Sequence, residues 1–476
     1  MQIEILDTVW SKFTSKEDIE KILPCLTYEK EGWMQGQYSK EKVKDERYMV
    51  NHGSGRFLTG LIPRIVKYSD SKNLNCQIKI KFDPYFYPPE IEIPSLPGFT
   101  FRPDQLESVQ SIINQQRGVI KNATGTGKTV LAGTICSIWP SSRIVFLCHT
   151  LSLLNQAQKT FTKDFGFKNV ITLGGGENEF DWPDRPTIVI ATIQTFRKFD
   201  LLNHSDWIDV VICDECHHLA AHDSMMAEIL KKTMAPIRIG FSAELPKTEQ
   251  GRMTLEGYLG PVIGEFSYQD GIKAGVLAKP LFNLVPVPYN DEIGRADRYS
   301  NDIDKFTHKL ISKGMYQLGI IENKARNRLA LMEAIKSVDA GKTVLILTGT
   351  NTDHGKILSE MAKDLFDLDL PFIYGKTEAE ARVMAQELLE SKNLSWAVAN
   401  IVWREGINIK SLDHVVNIGG EKYPTQIVGR GCRTTEMKKF VSITDFLDPY
   451  KWLNNHTVMR LIVYAQQGWL DWKNNS

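Results

Sequence analysis

The chain has 476 residues, which is too long for one hydrophobic core and typical of about three domains. Its 42% hydrophobic and 24% charged residues are those of an ordinary globular protein. The 57 basic residues equal the 57 acidic ones, which excludes a globally basic chain, so any DNA-binding surface must be a local groove.

The segment that begins Met1-Gln2-Ile3 lacks the basic flank and the long apolar core of a secretory signal. No apolar run has membrane-spanning length, so we expect a cytoplasmic chain with no membrane partner. The seven cysteines are scattered and odd in number, as in a protein with reduced thiols. Cys213 and Cys216 form a C-x-x-C, but it has no second pair, so we favour a buried strand position for Cys213 over a metal or redox site.

Residues 1–96 are predicted to form a separate small α+β domain, followed by a Pro-rich linker over residues 84–97. A helical stretch lies near residues 16–26, and strand-like runs lie at 36–38, 56–63 and 77–82. A group of basic and aromatic residues either forms a nucleic-acid surface or is a solvated face over a small core: Lys40, Lys42, Lys44, Arg47, Arg56, Arg64, Tyr38, Tyr48 and Phe57.

From Phe99 onward, apolar strands alternate with helical stretches, which indicates parallel α/β architecture. The candidate strands form two series, at 119–120, 144–147, 188–191, 210–213 and 237–241, and then at 343–347, 372–374, 396–400, 414–418 and 440–444. Two series of about five strands predict two doubly wound lobes, at residues 97–278 and 279–476, the second with a C-terminal helical tail.

A Gly-rich stretch at residues 122–129 follows the first apolar strand and leads into a helix. A strand, a Gly-rich turn and a helix N-terminus form a phosphate cradle, because freed backbone N–H groups and the helix dipole point at the anion. The cradle residues are predicted to be Thr124, Gly125, Thr126 and Gly127. Lys128 is then expected to reach the β- and γ-phosphates of ATP, and the Thr129 hydroxyl to hold Mg²⁺.

A second chemical element, Asp214-Glu215-Cys216-His217, follows the apolar run 210–213. The strand delivers two adjacent carboxylates to its C-terminal end, where ligands of open α/β sheets bind. We expect Asp214 to hold Mg²⁺ and Glu215 to orient and deprotonate the attacking water.

These two elements, with others in the same order, resemble the motifs of superfamily 2 DExH-box helicases and translocases. The resemblance implies two tandem RecA-like lobes. Segment 101–105 resembles the adenine-reading motif, with Arg102 and Gln105 at the nucleotide. Segments 149–156 and 191–196 resemble strand ends that contact a nucleic-acid backbone, which implies roles for Thr150, Gln156, Thr192, Gln194 and Thr195. Segment 241–243 resembles the motif that couples hydrolysis to nucleic-acid contact.

The second lobe carries two more such segments. Segment 404–408, with Gly406, resembles motif V, and segment 426–433 resembles motif VI. The spacing of Gln426, Arg430 and Arg433 places them on one helical face. From the opposite lobe, Arg430 or Arg433 is predicted to reach the γ-phosphate as an arginine finger, so that hydrolysis requires lobe closure.

Four stretches narrow the resemblance to bacteriophage branch-migration helicases of the UvsW type, including the smaller T5-like phage counterpart: residues 319–327, 353–356, 374–377 with Arg382, and His456, Arg460 and Tyr464. The resemblance implies ATP-driven 3′-to-5′ movement on DNA in replication and recombination. It implies a single strand in the groove between the lobes, and forks or four-way junctions engaged through the N-terminal domain. We expect a monomer, located in host cytoplasm if a phage encodes it.

Two other functions share this ATP chemistry: an RNA helicase, and the motor of a nuclease system. A non-motor module with a vestigial nucleotide site is disfavoured by Lys128, Glu215 and Arg430. Three positions depart from the family pattern, since Asn122 replaces a small residue, Glu244 stands where Thr is common, and Asn408 stands where Asp is common. The last two departures weaken the coupling role expected at 244 and the ribose or water contact expected at 408.

Overall fold

The computed structural model describes residues 1–35, 40–81, 93–176, 179–221, 223–295, 314–349, 351–400, 409, 411–421 and 438–470, without the side chains of 31–35, 40–44 and 379. The chain divides into two compact units. Met1–Ala123 and Gly127–Ser267 form the first, and Thr124–Thr126 and Tyr268–Ser476 form the second. The N-terminal region and the first lobe therefore share one unit, and the division falls between Ser267 and Tyr268. The division into three domains at residues 96 and 278 stays a prediction.

The N-terminal region contains a small mixed sheet in the strand order β5-β2-β1-β6. Its strands are β1 (Gln2–Ile5), β2 (Trp10–Phe13), β5 (Arg56–Leu58) and β6 (Gln77–Ile80), and a separate hairpin pairs β3 (Thr27–Gln35) with β4 (Lys40–Tyr48). The α-helices described in this region are α1 (Lys16–Ile22) and α2 (Ile62–Ser71). The Ser15 hydroxyl begins α1 by accepting a hydrogen bond from the Asp18 N–H at 3.1 Å. The predicted helix near 16–26 is confirmed.

The run 56–63, expected to be a strand, is one only as far as Leu58. A 3-10 turn follows, and α2 begins at Ile62 with Pro63 in its first turn. Proline is favoured there because its missing N–H has no helical partner in any case. The proline, rather than the apolar residues before it, decides the local structure.

The N-terminal sheet is fixed to helix α8 (Glu249–Leu259) of the first lobe. Arg64 pairs with Glu256 at 2.8 Å and with Glu249 at 3.0 Å. A Cβ at Gly60 would collide with the Glu256 carbonyl, so the two backbones touch directly. Phe57 is buried in the core that the sheet shares with the lobe. At Arg64 and Phe57 these contacts indicate a structural role, in line with the alternative of a face over a small core rather than a nucleic-acid surface.

The first lobe is built on seven parallel strands in the order β13-β7-β12-β11-β8-β10-β9. They are β7 (Arg117–Asn122), β8 (Arg143–Cys148), β9 (Val170–Leu173), β10 (Thr187–Thr192), β11 (Val210–Cys213), β12 (Ile237–Ser242) and β13 (Val262–Phe266). Successive residues of β7 enter different cores: Val119 lies in the core shared with the N-terminal sheet, and Ile120 lies in the other. Both faces of the sheet are covered, as parallel sheets require.

The helices of this lobe are α3 (Pro103–Gln115), α4 (Lys128–Ile138), α5 (Leu151–Lys159), α6 (Ile193–Phe196), α7 (Met225–Lys232) and α8. Helices α4 and α5 follow β7 and β8 directly, so both begin at the carboxyl edge of the sheet. This edge collects the residues of the predicted site.

The second unit contains six parallel strands in the order β14-β19-β18-β15-β17-β16. They are β14 (Lys279–Pro286), β15 (Val344–Leu347), β16 (Phe372–Ile373), β17 (Trp396–Ala399), β18 (His414–Asn417) and β19 (Phe440–Leu447). The helices described in this unit are α9 (Tyr268–Lys273), α10 (Lys324–Asp339), α11 (Thr352–Phe366), α12 (Ala379–Glu390) and α13 (Lys451–Gln466). The predicted fold class is confirmed: two RecA-like parallel-sheet lobes follow a small α+β N-terminal sheet.

A buried ionic network joins α10, β19 and α13 of the second unit. Arg326 pairs with Asp448 at 2.9 Å, and Arg460 pairs with Asp445 at 2.8 Å. Both arginine side chains are at most 1% exposed. The Tyr464 hydroxyl donates to the Asp445 carboxylate at 2.7 Å, and burial, with the Asp445 charge, raises the pKa of the phenol. Three of the residues that narrowed the family resemblance are therefore structural in this lobe.

No helix in the described ranges is long and apolar enough to cross a membrane.

Candidate nucleotide site and nucleic-acid interface

The Gly-rich turn between β7 and α4 has the backbone conformation of a phosphate cradle. Gly125 and Gly127 have φ of 87° and 97°, a left-handed region that favours glycine. Gly127 caps α4, and its carbonyl accepts a hydrogen bond from the Val130 N–H at 2.9 Å. The 11-residue helix presents its positive end to this turn.

Lys128 extends back along the turn toward the centre of the sheet edge. Its Nζ donates to the Asn122 carbonyl at 3.4 Å and lies 3.9 Å from Glu215 Oε1. The lysine therefore lies between the predicted phosphate cradle and the predicted general base. Thr129 occupies the next position in the first turn of α4.

The residues predicted to read adenine, Arg102 and Gln105, lie at the start of α3. The Arg102 N–H donates to Gln105 Oε1 at 3.1 Å, which fixes the carboxamide. A Cβ at Gly127 would lie 2.6 Å from Gln105 Nε2, so the glutamine packs directly against the phosphate turn. The Arg102 guanidinium is held by Asp104 through two hydrogen bonds of 2.9 Å. The structure thus brings Gln105, with Arg102 beside it, to Gly127 at the start of α4, and their contact with a nucleotide stays a prediction.

Asp214 and Glu215 follow the fully buried strand β11. Burial, and then the neighbouring Glu215 carboxylate, raise the pKa of Asp214 to about 6, because both disfavour its negative charge. Glu215 has φ of 47° and ψ of 46°, a left-handed conformation that is strained for a non-glycine residue. The turn therefore stores strain at the predicted general base.

His217 connects this turn to the end of β12, a contact that sequence reasoning did not predict. Its Nδ1 lies 2.9 Å from Ser242 Oγ and 3.4 Å from Glu215 Oε2. Ser242 Oγ donates to the Glu244 carbonyl at 2.6 Å, so its lone pair faces His217 and we assign the proton to Nδ1. Glu244 has no hydroxyl, and the hydroxyl that contacts His217 at this strand end belongs to Ser242. The sequence signal for Ser242 was its position in segment 241–243, which resembles the motif that couples hydrolysis to nucleic-acid contact.

The predicted nucleic-acid contacts lie at the ends of β8 and β10, which are adjacent because Cys148 pairs with Thr192. Gln194 is exposed, and its Nε2 donates to the His149 carbonyl at 3.2 Å. The Thr150 hydroxyl caps α5, with the Leu153 N–H at 3.3 Å. Thr192 and Thr195 share a hydrogen bond of 3.0 Å, and Gln156 is half-buried one turn into α5.

Four predicted site residues, Gly406, Gln426, Arg430 and Arg433, lie outside the described residues, as does Asn408. The arginine-finger role stays a prediction.

Comparison with known proteins fits this geometry. Residues 98–247 match the family described as type III restriction enzyme, res subunit. The chain is 24% identical over 402 residues to the DNA 3'-5' translocase XPB2 of Sulfurisphaera tokodaii, covering 77% of this chain and 88% of that protein. It is 23% identical over 378 residues to the putative mitochondrial ATP-dependent helicase irc3 of Schizosaccharomyces pombe, covering 75% and 58% respectively. The resemblance to superfamily 2 helicases is confirmed.

Solved structures also include proteins similar to this chain. UvsW of bacteriophage T4 is 18% identical, with 98% of both chains covered and a TM-score of 0.43. The ATP-dependent type ISP restriction-modification enzyme LlaBIII, solved bound to DNA, is 14% identical with a TM-score of 0.55. That match covers 78% of this chain but 30% of the enzyme. The LlaBIII likeness shows a shared fold.

Proposed function

We propose that the chain is an ATP-dependent DNA translocase that remodels branched DNA, such as forks and four-way junctions. One observation carries the proposal. Lys128, Asp214 and Glu215 lie at the same sheet edge as the strand ends that hold Thr150 and Gln194. A nucleotide site and a strand-contacting surface on one rigid sheet are what a translocating ATPase needs.

The residues at this carboxyl edge of the sheet have different roles in the proposed ATP hydrolysis. Lys128 neutralises phosphate charge, and Glu215 takes the proton of the attacking water. Thr129 and Asp214 offer the hydroxyl and carboxylate oxygens that Mg²⁺ prefers, and the raised pKa of Asp214 indicates a carboxylate that a cation would stabilise. Within the described ranges, no group of three or more His, Cys, Asp or Glu could hold a metal. When bound, Mg²⁺ would be held by the Thr129 and Asp214 oxygens together with the nucleotide phosphates, and it would supply charge neutralisation.

DNA is favoured as the track by two similar proteins. XPB2 is described as a DNA 3'-5' translocase, and LlaBIII was solved bound to DNA. Movement from 3′ to 5′ on a single strand is therefore the expected direction for this chain.

The preference for branched DNA is supported by the chain's own segments at 319–327, 353–356 and 374–377, which carry the UvsW-type resemblance. The N-terminal sheet adds a physical argument, because Arg64 and Gly60 fix it to α8 of the ATP-binding lobe. A duplex arm held by this sheet would move with that lobe.

A panel of labelled substrates tests the proposal: duplexes with either overhang, a fork, a four-way junction, blunt duplex and RNA duplex, each with ATP. We expect ATP-dependent remodelling of the fork and the junction, and ATP hydrolysis stimulated by DNA but not RNA. Activity on blunt duplex without activity on junctions would reject the branched-DNA proposal, and stimulation by RNA alone would favour an RNA helicase.

The motor of a nuclease system is a second candidate, because the matching family and LlaBIII are restriction enzymes by description. It predicts that the chain copurifies or reconstitutes with a cleaving subunit. Scoring the same substrates for cut products on denaturing gels distinguishes it, since the purified chain alone should release only intact strands under the leading proposal.

A further inference from the structure

Three imidazole rings form a continuous stack in the first lobe. The ring centroids of His149 and His218 are 4.0 Å apart, and those of His218 and His217 are 4.2 Å apart. The planes are tilted by 46° and 33°. His218 is therefore the central ring, and both of its neighbours belong to segments with a predicted function.

The outer ring, His149, is tied to the predicted nucleic-acid contacts. Its carbonyl accepts the hydrogen bond from the exposed Gln194 amide, and its neighbour Thr150 caps α5. A phosphate that draws the Gln194 amide away from this carbonyl would release the turn at residues 149–150. The position of the His149 ring would change with that turn.

His217 and the central ring, His218, belong to the turn that carries Glu215. The His218 N–H donates to the Glu215 carbonyl at 3.1 Å, and the Leu219 N–H closes the next turn on Cys216 at 2.9 Å. His217 contacts the Glu215 carboxylate directly at 3.4 Å. Because Glu215 is strained, its orientation depends on what holds this turn in place.

We propose that His218 is a positioning residue that couples occupancy of the strand ends at His149 and Gln194 to the orientation of Glu215. The inference rests on the proposed function as a DNA-stimulated ATPase, and it adds a residue and a route to it. In this role His218 touches neither ATP nor DNA. It transmits the position of the 149–150 turn through ring contacts to the turn of the general base.

The coupling acts through packing rather than through charge on the outer ring. Burial, then the neighbouring His218 and His217, lower the pKa of His149 to about 3, so this ring is neutral at physiological pH. A planar aromatic ring at position 218 should therefore preserve the stack, whereas a small side chain should break it.

The test compares His218→Ala with His218→Phe in ATP turnover with and without saturating single-stranded DNA. For His218→Ala we expect basal turnover and the Kd for DNA to stay within about twofold of wild type, while DNA stimulation falls by roughly tenfold, within the about 5- to 150-fold range of couplings between sites. His218→Phe should retain most of the stimulation. His204→Ala is the matched control, because His204 also stacks on an aromatic ring, Trp182, away from these contacts.

Each result bears on one proposal in a distinct way. Full stimulation in His218→Ala would overturn the coupling role, and so would an equal loss of basal and stimulated turnover, which would indicate a general structural role. Loss of stimulation in both His218 variants would overturn the packing mechanism. Wild-type protein whose ATP turnover ignores DNA would reject the proposed function as well, and is measured first.

Discussion

The two parallel sheets hold charged side chains in different ways. In the first lobe, Lys128 and Glu215 are 3.9 Å apart, and their side chains are 12% and 19% exposed. In the second unit, Arg326 and Arg460 lie within 2.9 Å of Asp448 and Asp445, and none of these side chains is more than 3% exposed. The charged groups of the first lobe are farther apart and partly exposed, whereas those of the second unit are closely paired and buried.

The difference indicates what each set is for. Charges that stay apart and accessible retain the capacity to bind phosphate and to move a proton. Buried charges that pair with one another fix the packing of α10, β19 and α13, and removing one partner leaves the other uncompensated. We therefore expect changes in the first set to remove turnover, and changes in the second set to remove stability.

The largest expected effect is the loss of turnover in Glu215→Gln. The amide cannot accept the proton of water, and general base catalysis typically contributes about 10²- to 10⁴-fold. Phosphate release should fall by this factor, while the thermal unfolding midpoint stays unchanged because the side chain keeps its size. Normal hydrolysis by this variant would show that another group is the base.

Arg460→Met tests the buried pairs of the second unit. Asp445 then stays buried without its cation, and breaking a buried pair in this way costs about 3–5 kcal/mol in the free energy of unfolding. Urea denaturation followed by tryptophan fluorescence measures this loss of stability. The matched control is Lys363→Met, which removes an exposed pair with Asp367 and should leave the transition unmoved. Equal effects from both variants would contradict the structural role of the network.

The second unit should also be acid-sensitive through His354. Burial, and then the nearby Arg326 charge, lower the pKa of His354 from 6.5 to about 3. Between these values the unfolded chain binds a proton that the folded chain excludes, so the free energy of unfolding falls as pH falls, by about 1.4 kcal/mol per pH unit. His354→Gln, which can still donate to Asn327, should flatten the slope measured between pH 6.5 and 4.5. An unchanged slope would mean that the folded chain accepts the proton.

The central strands of both sheets could be predicted from sequence because buried parallel strands are short apolar runs. Every predicted strand of the two lobes lies within or overlaps an observed one. Among the described strands of these two lobes, those that were not predicted, β9, β13 and β14, all lie at sheet edges. Edge strands such as β14 mix exposed and buried residues, and their pairing depends on a partner that only the folded chain supplies.

The location of the candidate site was predictable where short segments carry the expected residues, since the structure brings Lys128 and Asp214-Glu215 together as the sequence predicts. It was not predictable where the chemistry depends on tertiary contact. His217 meets Ser242 across 25 residues, and Arg326 meets Asp448 across 122. No local pattern encodes such pairs. Arg326 and Arg460 were associated with a family, whereas the structure gives them a physical role in packing.

Substitution of Asn122 has the smallest expected effect, and it should raise rather than lower the free energy of unfolding. It stands at the first position of the phosphate turn and is fully buried, and neither its Oδ1 nor its Nδ2 has a hydrogen-bond partner among the described residues. A buried polar group without a partner costs about 1–3 kcal/mol, and an apolar group of similar shape avoids that cost. Asn122→Leu should therefore raise the free energy of unfolding of the first unit by up to about that amount.

Asn327 is the matched control for this change. It is equally buried, but its Oδ1 lies 3.0 Å from His354 Nε2 and its Nδ2 donates to the Ile321 carbonyl at 2.8 Å. Asn327→Leu should therefore destabilise the second unit, opposite in sign to Asn122→Leu. The Lys128 contact is to the backbone carbonyl of residue 122, so the substitution leaves it in place. If Asn122→Leu gains stability but loses ATP turnover, the amide serves the reaction at the expense of the fold. If it loses stability as Asn327→Leu does, the Asn122 amide is hydrogen-bonded in the folded chain, and the proposed contrast between Asn122 and Asn327 is wrong.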